Sequence, residues 1–190
     1  KTYFDGMKFL MDNNVMTGTY TLMMLCGAEL GRDAAIKKHQ MVSKYRVLPK
    51  QFGNYYGKKV FEIEQVCVGT NTMSYESYLN CRNFSIILQL LSASIFSPIY
   101  KLTQKLGISW HEVVKKTADL IKTKNFKGKF KDLYIEFCTE AENELFESRE
   151  EAIEFYKKEE NYQLLLKGDI GENLLGKYGA KGFFVHKDIM

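Results

Sequence analysis

A short apolar run that stops at a glycine constrains this chain more than any other feature. Leu22-Met23-Met24-Leu25-Cys26 is continuous and Gly27 breaks it. Just before it, small or β-branched residues (Thr19, Thr21) alternate with large ones (Tyr20, Leu22). A run of this length ending at glycine predicts a strand buried on both faces, as in a parallel sheet covered by helices. Residues Glu29 to Asp33 then lead into the helical pattern of Ala34 to Gln40. Strand, glycine turn, helix is the local expectation, and ligands of α/β proteins sit at the carboxyl ends of such strands. Leu25 to Glu29 is therefore the first place to look for a site.

Around this core the elements follow in order. Tyr3, Phe4, Met7, Leu10 and Met11 fall at helical spacing, so Lys1 to Asn14 is expected to form a helix. A helix feeding a buried parallel strand is half of a βα repeat whose first strand is missing. The chain begins at Lys1, ends at Met190 without a polar tail, and shows no second unit of this kind. A fragment of a longer protein is the expectation. Ser43 to Leu48 alternates like a strand that Pro49 would end, and Lys58 to Gly69 is a second strand with one wet face. Tyr45 and Val47 are expected to pair with it in a hairpin.

From Ser74 the pattern turns helical. Ser74 can cap a helix carrying Tyr78, Ile86, Ile87, Leu90 and Leu91, which should reach Ser97-Pro98. Ser109 to Glu112 and Ser148 to Glu151 have capping-box spacing. Lys122 to Lys131 places five lysines around Phe126 and Phe130. That pattern reads either as a solvated linker with two anchoring rings or as a single-stranded nucleic-acid contact. Acidic residues from Glu140 to Glu160 are interspersed with apolar ones at helical spacing, as on an exposed helical face. After Gly168, one short helix (Leu174, Leu175) and one short strand (Phe183 to Val185) are expected.

Bulk composition excludes several classes. A net charge of +4 over 190 residues gives no strong case for nucleic acid. No apolar segment approaches the ~20 residues that span a bilayer, and the N-terminus has no secretory signal. The richest segment, Phe84 to Tyr100, is interrupted by serines, Gln89 and Pro98 and reads as a buried helix. A cytoplasmic protein without a membrane partner is expected. Cys26, Cys67, Cys81 and Cys138 lie far apart, which predicts core thiols and no metal site. There is no GxSxG, P-loop or HExxH, and spacing alone identifies no catalytic residue.

One resemblance goes further. Leu25-Cys26-Gly27-Ala28-Glu29-Leu30 resembles the Leu-Pro-Gly-Thr-Glu-Leu motif after the sixth barrel strand of radical S-adenosylmethionine enzymes that carry a cobalamin-binding domain. The runs Lys44 to Pro49, Phe52-Gly53, Glu62-Ile63-Glu64 and Thr70 to Ser74 are similar, in order and spacing, to the segment that follows that barrel. The likeness covers roughly the first hundred residues, and Cys26 and Ala28 replace the motif proline and threonine.

The resemblance implies residues 1–40 as the end of a partial TIM-type barrel. A small β extension over 41–72 and a mainly helical region over 73–190 would follow. It implies S-adenosylmethionine, a 4Fe–4S cluster and cobalamin in the complete enzyme, none held stably by this segment alone. The CxxxCxxC cluster motif and the cobalamin domain would lie upstream as this segment's partners, and the substrate is open. By position, Met24, Leu25, Cys26 and Gly27 would border the cofactor through strand-end backbone groups. The same side chains would equally serve as barrel filling. Arg46 would either pair with an anionic group or lie on the surface beside Tyr45. Set against the enzyme is a non-catalytic helical interaction module keeping a degenerate barrel edge.

Overall fold

The computed structural model describes residues 2–15 and 18–187. Among them the chain is an α/β protein in which helices predominate. In order it forms α1 (Thr2–Asp12), α2 (Asp33–His39), β1 (Val42–Tyr55), β2 (Lys58–Gly69), α3 (Tyr75–Leu91) and α4 (Ser97–Lys105). Then come α5 (Trp110–Ile121), α6 (Lys129–Asn143), α7 (Arg149–Lys157), α8 (Glu159–Lys167) and α9 (Leu174–Lys187). The two strands make one antiparallel sheet, and a partial barrel is not seen among the described residues. The chain divides into two units. A helical unit combines Lys1–Thr19, Asn80–Cys138 and Leu175–Met190, and a hairpin unit combines Tyr20–Leu79 and Thr139–Leu174.

In the hairpin unit the pairing is the expected one, with Tyr45 opposite Gln65 and Val47 opposite Ile63. The two-residue turn Tyr56-Gly57 has positive φ at both positions (51° and 81°), which matches the right-handed twist of the flanking strands. Pro49 does not end β1. Between the pairs Val47–Ile63 and Phe52–Phe61 the register shifts. The four residues 48–51 there face only Glu62, so the bulge takes up the proline that a regular ladder cannot.

Val47, Phe61 and Ile63 meet Ala152 and Tyr156 of α7 and Tyr162 and Leu165 of α8 in one buried cluster. Ser148 caps α7 by accepting from the Glu151 amide at 3.0 Å, while the Glu151 carboxylate accepts from the Glu147 amide at 2.9 Å. Lys59 ties α8 to the hairpin, donating to Glu159 at 2.7 Å with its ammonium 4.6 Å from the Tyr162 ring centre.

In the helical unit α3 is buried on nearly every side from Phe84 to Leu91, with Ile86 and Ile87 fully enclosed. Ser74 caps it as expected, accepting from the Ser77 amide at 3.1 Å. The helix stops six residues short of Ser97, at Leu91. Ser92 turns its hydroxyl back onto the Leu88 carbonyl (2.7 Å) and Ala93 is extended. Pro98 therefore sits in the first turn of α4, where its missing N–H leaves no bond unmade. Ser109 caps α5 and donates to Asp12 of α1, which also pairs with Lys8 at 2.7 Å.

The expected strand at Phe183 to Val185 belongs instead to α9, continuous from Leu174. Two of its glycines are contact points: a Cβ at Gly179 would lie 3.3 Å from Gln89, and one at Gly182 only 2.2 Å from Leu90.

Candidate functional site

The apolar run Leu22 to Cys26, with Gly27 after it, lies at one edge of the hairpin. Met24 donates its amide to the Gln65 carbonyl at 2.8 Å, and Leu22 accepts from the Cys67 amide at 2.9 Å. Met23 thereby bridges Val66 in antiparallel sense. This corrects the expectation of a parallel strand buried on both faces. Tyr20 is 95% exposed, Leu25 56%, and Leu22 and Met23 40% each. The reason is physical: an apolar run states that neighbours are wanted and not which neighbours are there. Among the described residues, β2 meets the backbone of Leu22 and Met24 on one side. Backbone alternation sends the N–H and C=O of Met23 to the other side, as on an edge strand.

Beyond Met24 the local geometry follows the expected order of extended chain, glycine turn and helix. Ala28 donates to the Leu25 carbonyl at 3.1 Å, Gly27 holds φ at +85°, and a single 3-10 turn (Glu29–Gly31) precedes α2. Gly31 presses against the same carbonyl: a Cβ there would lie 2.4 Å from the Leu25 oxygen. Met24, Leu25, Cys26 and Gly27 thus form one fixed corner with an exposed thiol. Met24 N–H and Leu25 C=O are already committed within the chain.

Arg46 is not brought to this corner, and its guanidinium is taken up inside the hairpin unit. Its Nε donates to Glu64 and its Nη1 to Glu144 at 2.8 Å. The side chains are 17%, 8% and 7% exposed in the order Arg46, Glu64, Glu144. Burial opposes the charge of Arg46, yet the two carboxylates hold its pKa above the ordinary arginine value. Burial, aided by the charge of Glu144, also raises the Tyr156 phenol well above its usual range. Neither of the two roles read from the sequence, anion ligand or surface residue, describes this arrangement. Only the charged partners decide it, and one of them is 98 residues away.

A second feature was missed. The helical unit holds a half-open cavity of about 410 Å³, walled by Met11, Leu88, Leu91, Phe96 and Trp110. Asn14, Ser94, Ser97 and Tyr100 add polar atoms, and the Tyr100 hydroxyl donates to Asn14 at 2.6 Å. The sequence signal is the serine interruption after Leu91, within the segment expected to be a buried helix. That break is where the chain leaves α3 and opens the hollow. His111, on α5, is buried with neither ring nitrogen hydrogen-bonded among the described residues, and its ring centre lies 5.8 Å from that of Phe84.

Among the described residues no three His, Cys, Asp or Glu side chains converge where a metal ion could be held. Cys26 is exposed and Cys67 buried in the hairpin unit, while Cys81 and Cys138 belong to the helical unit. The residues present do not fit a cluster site of their own. In comparisons with known proteins, no family model and no curated protein matches this chain.

Proposed function

We propose that this chain is the C-terminal part of a radical S-adenosylmethionine enzyme with an upstream cobalamin-binding domain, a methyltransferase or rearrangement enzyme acting in the cytoplasm. One observation carries the reading: among the described residues the backbone of Leu22 and Met24 pairs with β2, while Tyr20, Leu22, Met23 and Leu25 are each at least 40% exposed. This is the segment whose sequence resembles the last strand of the barrel. A preceding barrel strand would add to its outer edge, and the layer over Tyr20, Leu22 and Leu25 would be barrel interior and helices. Met24, Leu25, Cys26 and Gly27 would then stand at the strand's carboxyl tip, where backbone groups held by Gly27 and Gly31 can read an adenine edge. The cluster and its chemistry belong to residues outside this chain, and this segment would supply binding and orientation.

The test starts with the coding sequence upstream of Lys1, where a CxxxCxxC motif within a few hundred codons is expected. The complete protein, reconstituted anaerobically with iron and sulfide, should then show 4Fe–4S absorbance and release 5′-deoxyadenosine from S-adenosylmethionine after reduction. An unrelated upstream domain, or a reconstituted protein without that absorbance, ends the proposal.

A further inference from the structure

The charge of this chain is sharply divided, although its sum is small. Residues 97–131 carry nine lysines against two acids, Glu112 and Asp119, whereas residues 139–174 carry eleven acids against four basic residues. At the head of the basic segment α4 shows two different faces. Thr103 is buried, and Ser97 and Tyr100 line the cavity. On the other side Ile99 and Leu102, with Leu106 at the C-cap, spaced by three and four residues, stand 50%, 54% and 62% exposed. Side chains at that spacing form one stripe along a helix. Lys101 and Lys105, both exposed, border it along one edge, one turn apart.

We propose that the outer face of α4 docks on an anionic lipid surface, with Ile99, Leu102 and Leu106 entering the headgroup–acyl boundary and the lysines meeting lipid phosphates. The inference is independent of the radical enzyme reading and revises the expectation that no membrane is involved. It concerns a surface contact: no single helix of the described residues is long and apolar enough to cross a bilayer, and α3 and the segment Ser94–Lys105 reach that length only as a pair bent by 72°. An aliphatic stripe bordered by lysines is the pattern of helices that lie in a membrane interface. Lysines close to such a surface are attracted to its negative potential.

Nucleic acid is disfavoured because the centre of the patch is aliphatic, whereas single strands are held by stacking on exposed rings. A second copy is disfavoured because facing patches would bring two lysine-rich segments together.

The test is co-sedimentation of the 190-residue chain with vesicles of phosphatidylcholine alone or mixed with phosphatidylglycerol. Binding is expected to the mixed vesicles only. Leu102→Glu should weaken it by about tenfold or more, and the pair Lys101→Glu/Lys105→Glu by a similar factor. Leu166→Glu, at a residue of α8 that is 54% exposed, should leave it unchanged. Circular dichroism verifies that each variant is folded. The proposal is overturned if folded Leu102→Glu binds as well as the parent, or if no vesicle is bound. It is equally overturned if the same variants abolish self-association or oligonucleotide binding while vesicles are ignored.

Discussion

Replacing Arg46 with methionine tests the reading of the hairpin unit most directly. The substitution keeps much of the side-chain volume and removes the charge, leaving Glu64 and Glu144 together at 8% and 7% exposure. Removing one partner of a buried ion pair costs about 3–5 kcal/mol, because the remaining charge stays desolvated without compensation. Here one guanidinium serves two carboxylates, so a loss near 4 kcal/mol is expected, a large part of the ~5–15 kcal/mol that holds a typical domain. At a urea slope of about 2 kcal/mol/M, the unfolding midpoint should fall by about 2 M.

The triple variant Arg46→Met/Glu64→Leu/Glu144→Leu removes all three charges and should return to within about 0.5 M of the parent. A single variant that unfolds no earlier than the parent would mean that the carboxylates are solvated, and would return Arg46 to the list of possible anion ligands. A triple variant as weak as the single one would place the loss in packing and not in charge.

Three further outcomes follow from particular contacts. Burial lowers the His111 pKa despite the nearby Glu112, so the folded state resists protonation more than the unfolded chain does. Its contribution is therefore present above the unfolded value near ~6.5 and lost as pH falls toward the lower folded value. His111→Phe, beside Phe84, should flatten the stability–pH curve across that window, and an unchanged slope in urea titrations would refute the assignment.

Gly182→Ala should cost about 1–3 kcal/mol through collision with Leu90, reduced by about 1 kcal/mol of helix propensity; a raised melting temperature would show that α9 has room there. Gly31→Ala should force the Leu25 carbonyl away and speed hydrogen exchange at Ala28, whose amide that carbonyl accepts. Exchange as slow as in the parent would refute the close packing of that corner.

Local chemistry was legible in the sequence and partnership was not. Ser74, Ser109 and Ser148 cap helices as their spacing predicts, and Tyr45 and Val47 pair as alternation predicts, since these rules act within a few residues. Pro49 failed as a strand end because a bulge four residues long absorbed it. At Gly179 and Gly182 the missing side chain serves close helix packing and not a turn, and only the facing residue tells which. Leu22 to Cys26 announced its apolar character correctly and its surroundings wrongly. Arg46 could not be read at all without Glu144. At the candidate corner the sequence placed the glycine turn and the helix after it. It missed the antiparallel bridge to Val66, which depends on a residue 43 positions downstream.

The span between β1–β2 and the helices that cover them has a consequence for synthesis. Lys44 waits for Glu147 and Lys59 for Glu159, partners 103 and 100 residues later in the chain. At a ribosomal pace of about 5–20 residues per second, the hairpin emerges roughly 5–20 seconds before its cover is made. During that interval Phe61, Ile63 and Val47 are bare, so a nascent chain stalled before Arg149 should be a chaperone client and a finished one should not.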